Sequence, residues 1–155
     1  MSNAVERVKL SEGATYLLDE CRMVLPGIQA LFGFQLIAVF NQRFAQDLSA
    51  FERHLHFVSL TLVALSIAII MAPAAYHRFQ GTREVSERFL RNCSRLLLAS
   101  MVPLAAGLCL DYYLVGRLIV GEPWVAWAAT ALFGLLAFFW FGFPASRRLH
   151  ALLDR

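Results

Sequence analysis

Phe57-Val58-Ser59-Leu60-Thr61-Leu62-Val63-Ala64-Leu65-Ser66-Ile67-Ala68-Ile69-Ile70-Met71-Ala72-Pro73-Ala74-Ala75-Tyr76 carries no charged side chain from end to end. An α-helix rises about 1.5 Å per residue, so a run of this length covers about 30 Å, the thickness of the hydrocarbon core of a bilayer. A soluble amphipathic helix of equal length would show polar side chains along a whole face. A strand of an outer-membrane barrel would alternate apolar and polar residues. Neither pattern is present, and a backbone in lipid has to satisfy its own hydrogen bonds, so the run reads as a membrane-spanning helix.

Three more runs of similar length lie at 23–40, 96–115 and 124–143. They account for a composition that is 59% hydrophobic and 16% charged over 155 residues, against about 45–50% and about 25% in soluble domains. The sequence therefore predicts an all-α integral membrane bundle of four transmembrane helices. An amphipathic amino-terminal cytoplasmic arm (1–22) precedes the transmembrane domain (23–144), and a basic tail (145–155) follows it. The first 22 residues contain seven charged side chains and no compact apolar segment before a small-residue cleavage site, so the first span is expected to stay in the mature protein.

Other classes find little support. The net charge is +3, but the basic residues are scattered rather than gathered with aromatics, so no nucleic-acid partner is expected. Cys21, Cys93 and Cys109 lack CxxC or Cys/His spacing and sit among apolar neighbours, as buried thiols do. His54 and His56 are two residues apart, hence on different faces, and His77 lies at the far end of the same span; no metal site follows from that spacing. There is no HExxH, nucleophile elbow, glycine-rich phosphate loop or carboxylate pair, so neither an enzyme nor a cofactor is expected.

Boundaries follow from local chemistry. Ser49 and Glu52 fit a capping box, which starts the second helix near Ala50, outside the bilayer. Pro26, Pro73 and Pro103 fall inside predicted helices, where each removes a backbone donor and favours a kink. Pro123 suits the first turn of the fourth helix, and Pro144 its close. Small residues recur every fourth position at Ala64, Ala68 and Ala72 and at Ala126, Thr130 and Gly134, two faces suited to helix contact within the chain or between copies.

Orientation follows from the arginines and lysines. Arg7, Lys9 and Arg22, then Arg78, Arg83, Arg88, Arg91 and Arg95, then Arg147, Arg148 and Arg155 share one side; Arg43, Arg53 and Arg117 take the other. Eleven against three places both termini and the middle connection in the cytoplasm. On that side the arm (Leu10, Ala14, Leu17, Leu18, Cys21) and the segment before the third span (Val85, Phe89, Cys93) carry helical apolar stripes. Such stripes lie on the inner leaflet, drawn to anionic lipid headgroups, or pack under the bundle; a gating or partner-binding role is the other reading.

Polar residues within the spans are the functional candidates, because ionisable groups in lipid are expensive. Asp111 lies in the outer half of the third span. It reads either as an interface carboxylate paired with Arg117 or Arg43, or as a proton or cation site in a wet cavity. Gln29 and Gln35 in the first span are six residues apart, about 120° around the helix, so they cannot share one narrow stripe. Ser59, Thr61 and Ser66 can satisfy themselves on carbonyls one turn back. At the cytoplasmic end Glu20, Arg22, His77 and Arg78 are expected at one depth, where Glu20 can pair with Arg22 or Arg78.

Glu20-x-Arg22 followed by Leu25-Pro26-Gly27-x-Gln29, then Gln42-Arg43-Phe44, and a Pro73-x-x-x-His77-Arg78 exit from the second span resemble a family of small bacterial four-helix membrane proteins. That family is catalogued as a domain of unknown function, and some members carry a sodium:proton antiporter label. The resemblance implies a cytoplasmic arm, these entry and exit motifs, and the bacterial inner membrane. Antiporters generally use buried carboxylate pairs or broken helices, and Asp111 has no acidic companion within a span. Two functions are expected. One is a small homo-oligomeric channel or transporter for protons or small ions, with a polar path at Gln29, Gln35 and Asp111 and a cytoplasmic mouth at Glu20, Arg22, His77 and Arg78. The other is a non-transporting scaffold or accessory subunit whose arginine-rich face binds lipid headgroups or a partner.

Overall fold

A computed structural model of the chain describes residues 2–80 and 86–144, with the side chains of 2–9, 11, 42, 43, 45, 77, 79 and 80 excepted. The described residues are helical almost throughout: α1 (Ser2–Val39), a short α2 (Gln42–Asp47), α3 (Ala50–Gln80), α4 (Glu87–Val120) and α5 (Val125–Ala137), which continues as a π-helical turn, Phe138–Gly142. Four of these helices are long and apolar enough to cross a membrane. Residues 81–85 of the middle connection and the basic tail (145–155) lie outside the described residues.

The caps explain where the helices begin and end. Glu52 N donates to Ser49 Oγ at 3.3 Å and Ser49 N donates to Glu52 Oε2 at 2.9 Å, the reciprocal pair of a capping box, and α3 starts at Ala50 as that box predicts. Ser86 caps α4 by accepting from Phe89 N at 3.2 Å. Gly121 closes α4 with φ +73°, the left-handed region open to glycine, and donates to the Arg117 carbonyl at 2.9 Å. Pro123 falls in the turn before α5 rather than in its first turn.

The amino-terminal arm is helical and runs without interruption into the first span, past Pro26, to give one helix of 38 residues, about 57 Å long. Its inner part is seated on α4, where Ala14, Phe89 and Cys93 form a buried cluster with Leu17 and Leu90 against it. Tyr76 stacks on Phe89, with ring centroids 5.6 Å apart, and ties α3 to the same seat. Ala68, Ala126, Thr130 and Gly134 of the small-residue stripes are exposed, so these faces do not form the buried contact within the chain.

The seam lies elsewhere. Along α3 the buried positions are His56, Ser59, Val63, Ser66, Ile70 and Pro73, alternating by three and four residues. Along α4 the buried Cys93, Ser100, Gly107 and Leu114 recur every seven. These are heptad spacings, which keep one seam facing a neighbouring helix. Gly107 marks a close approach of α3 and α4: a Cβ there would sit 2.8 Å from Val63 Cγ2 and 3.3 Å from the Ser59 carbonyl oxygen. α1 packs on α3 through Ile28, Leu25 and Leu31 beside Val63 and Ile70, and α5 packs against α4. The result is a three-helix core of α1, α3 and α4 flanked by α5.

Candidate functional site

Close approach at Gly107 brings polar side chains from three helices together near the Gly121 end of the core. Ser59, fully buried on α3, lies within hydrogen-bond distance of the Gly107 carbonyl at 2.9 Å and of Asp111 Oδ1 at 2.8 Å. Gln35 of α1 is 4% exposed. Its Nε2 donates to Ser59 Oγ at 3.0 Å and to Asp111 Oδ2. Gln35 Oε1 is buried without a hydrogen-bond partner among the described residues.

His56, one turn before Ser59 on the same face of α3, completes the cluster. Its Nε2 lies 3.1 Å from the Gln35 carbonyl oxygen, and its Nδ1 lies 3.7 Å from Asp111 Oδ1. A carbonyl only accepts, so Nε2 carries the hydrogen and donates. Phe44 sets a ring edge against the imidazole, centroids 4.9 Å apart. One turn further along α3, Glu52 faces Arg117 Nε of α4 at 3.6 Å and forms the rim.

Asp111 is thus a member of a buried cluster, and Arg117 pairs with Glu52 instead. The two glutamines separate as their 120° offset requires: Gln35 enters the cluster and Gln29 is exposed on α1. Ser59 and Ser66 do not turn back on their own helix. Ser59 reaches Gly107 and Asp111, and Ser66 donates across the seam to the Ser100 carbonyl at 2.9 Å. Thr61, on the exposed face, does bond one turn back, to the Phe57 carbonyl at 2.8 Å.

The cytoplasmic-mouth candidates lie at the opposite end. Arg22 and Arg78 border one groove of about 270 Å³ between α1 and α3, floored by Cys21, Leu25 and Ile70. Glu20 is exposed and does not line that groove, and Arg22 donates to Asp19 at 3.2 Å. The His77 side chain lies outside the described residues.

His56 and Ser59 were missed as site residues. The signal was present in the sequence as the spacing 56, 59, 63, 66, 70, 73, a heptad seam that puts His56 on the buried side and leaves His54 exposed, bonded to the Ala50 carbonyl at 2.7 Å.

A family model described as a family of unknown function, DUF6328, matches residues 6–144, which include the whole cluster and the Arg22–Arg78 groove. The chain belongs to that family. No curated protein and no solved structure matches it.

Proposed function

We propose that the chain is an integral protein of the bacterial inner membrane that carries protons or small cations, works as a homo-oligomer, and keeps both termini in the cytoplasm. Four long apolar helices support the membrane location, as do the large apolar side chains they leave uncovered, among them Phe34, Ile119 and Trp127. The arginine asymmetry supports the orientation. Cysteines introduced at Asp47 and Arg88, in a background without Cys21, Cys93 and Cys109, test both. The first should react with an impermeant thiol reagent on intact cells and the second only after permeabilisation; the reverse pattern would overturn the orientation.

The observation that carries the transport reading is Asp111. A carboxylate in a membrane core costs several kcal/mol to place, and here it is held by Gln35, Ser59 and His56 with no arginine or lysine among its described partners. Such a group has reason to exist if it binds something. Val63, fully buried, separates Ser59 from Ser66 along the seam, so a polar route does not run straight through. That favours a carrier that moves over an open pore. Purified protein in liposomes loaded with a pH-sensitive dye, or with a sodium-sensitive one, tests the reading: uptake above protein-free vesicles supports it, and none removes it.

Gln29 supports oligomerisation. It is an exposed amide on a helix of membrane-spanning character, and amides in lipid find partners across helix interfaces. Gln29→Cys is expected to give disulfide-linked dimers under mild oxidation in native-like bilayers. Monomer at every protein density would overturn the idea. The non-transporting alternative draws on the groove where Arg22 and Arg78 converge, which suits an anionic headgroup at the inner surface.

A further inference from the structure

We infer that the species bound at the cluster is a proton, held on the line of atoms Ser59 Oγ, Asp111 Oδ1 and His56 Nδ1. This deepens the carrier reading and rests on it for the purpose of the site, while the proton count stands on geometry.

Counting hydrogens makes the case. Ser59 Oγ has one hydrogen and two oxygen neighbours that want it, the Gly107 carbonyl at 2.9 Å and Asp111 Oδ1 at 2.8 Å. Gln35 Nε2 supplies both of its hydrogens elsewhere, one to Ser59 Oγ and one to Asp111 Oδ2. His56 Nε2–H is committed to the Gln35 carbonyl at 3.1 Å. With a neutral imidazole, Nδ1 therefore presents a lone pair to Asp111 Oδ1 at 3.7 Å. An ionised Asp111 beside neutral His56 leaves this array one hydrogen short, with one pair of oxygens in contact and unbridged. One added proton bridges that pair. On Asp111 Oδ1 it donates to Ser59 Oγ, and Ser59 then donates to Gly107; on His56 Nδ1, 3.7 Å from the carboxylate, it would leave that pair of oxygens unbridged, so the carboxyl is its place. The binding step is simple: a proton from water bonds to a carboxylate oxygen, and nothing is oxidised or reduced.

A metal cation fits the same atoms poorly. Hard cations need several oxygen ligands, whereas Asp111 Oδ2 is already faced by the Gln35 N–H and Oδ1 by the Ser59 hydroxyl. Among the described side chains, the other charges on the packed elements do not compete for the site. Glu52 and Arg117 pair at the rim; Arg53 and His54 on α3 and Asp47 on α2 are exposed; α1 contributes here only the Gln35 amide and carbonyl.

Infrared difference spectra of the full-length protein in lipid films, taken across a pH titration, read the proton directly. The expected result is a protonated-carboxyl stretch that rises as pH falls, disappears in Asp111→Asn, and titrates with about tenfold altered proton affinity in His56→Gln. A wild-type spectrum without such a band, or a band that persists in Asp111→Asn, would overturn the inference. A titrating band in a protein that passes no ions would keep the proton site and remove the carrier reading. Sodium uptake without the band would keep transport and remove the proton.

Discussion

Asp111→Asn should reduce ion uptake into proteoliposomes by about two orders of magnitude, the scale on which loss of a proton-transferring group is felt, and should leave the fold intact. The asparagine amide offers an N–H where a protonated carboxyl offers an O–H, so the partners at Ser59, Gln35 and His56 remain satisfied in a state that can no longer change. Asp111→Leu is a different experiment. It strips the same three groups of their partner at once, and buried polar groups left unsatisfied cost about 1–3 kcal/mol each. Its effect should appear first in thermal unfolding. Full uptake by Asp111→Asn would remove Asp111 from the path.

Gly107→Val should have the largest effect on stability of any single change in the seam. The first added carbon alone meets Val63 Cγ2 at 2.8 Å and the Ser59 carbonyl oxygen at 3.3 Å, and neither can yield easily because Val63 and Ser59 are fully buried. Overpacking of this kind costs about 1–3 kcal/mol, and the valine methyls add to it. Because Ser59 also holds Asp111, parting α3 from α4 at this point should cost uptake as well as thermal stability. Gly134→Ala is the control: nothing lies within 4 Å of its added carbon, so unfolding should stay at the wild-type temperature. Equal behaviour of the two variants would contradict the seam.

Run lengths and caps made the helices legible in the sequence, because hydropathy and the Ser49–Glu52 box are local properties. What a helix faces is not local. Ala64, Ala68 and Ala72 satisfied the small-residue spacing, yet the seam runs through His56, Ser59, Val63 and Ser66, where side-chain size mattered less than position in the heptad. Asp111 and Gln35 stood out because an ionisable or amide group within an apolar run is costly wherever it points. His56 did not, since it lies at the edge of the run and reads like His54 until the seam is drawn. The charges at Glu20 and Arg22 marked a boundary of composition, and the backbone passes that boundary without a break.

The continuity of α1 has a mechanical meaning. Its seat on Phe89 and Cys93 and its buried amide at Gln35 belong to one rod, so a push or twist applied at Ala14 is delivered to the Asp111 cluster without passing through a loop. Pro26 interrupts the hydrogen-bond ladder of this rod, since it cannot donate to the Arg22 carbonyl one turn back. An axle with such a soft coupling allows a contact made at one end of the protein to set the alignment of the amide that touches the carboxylate at the other.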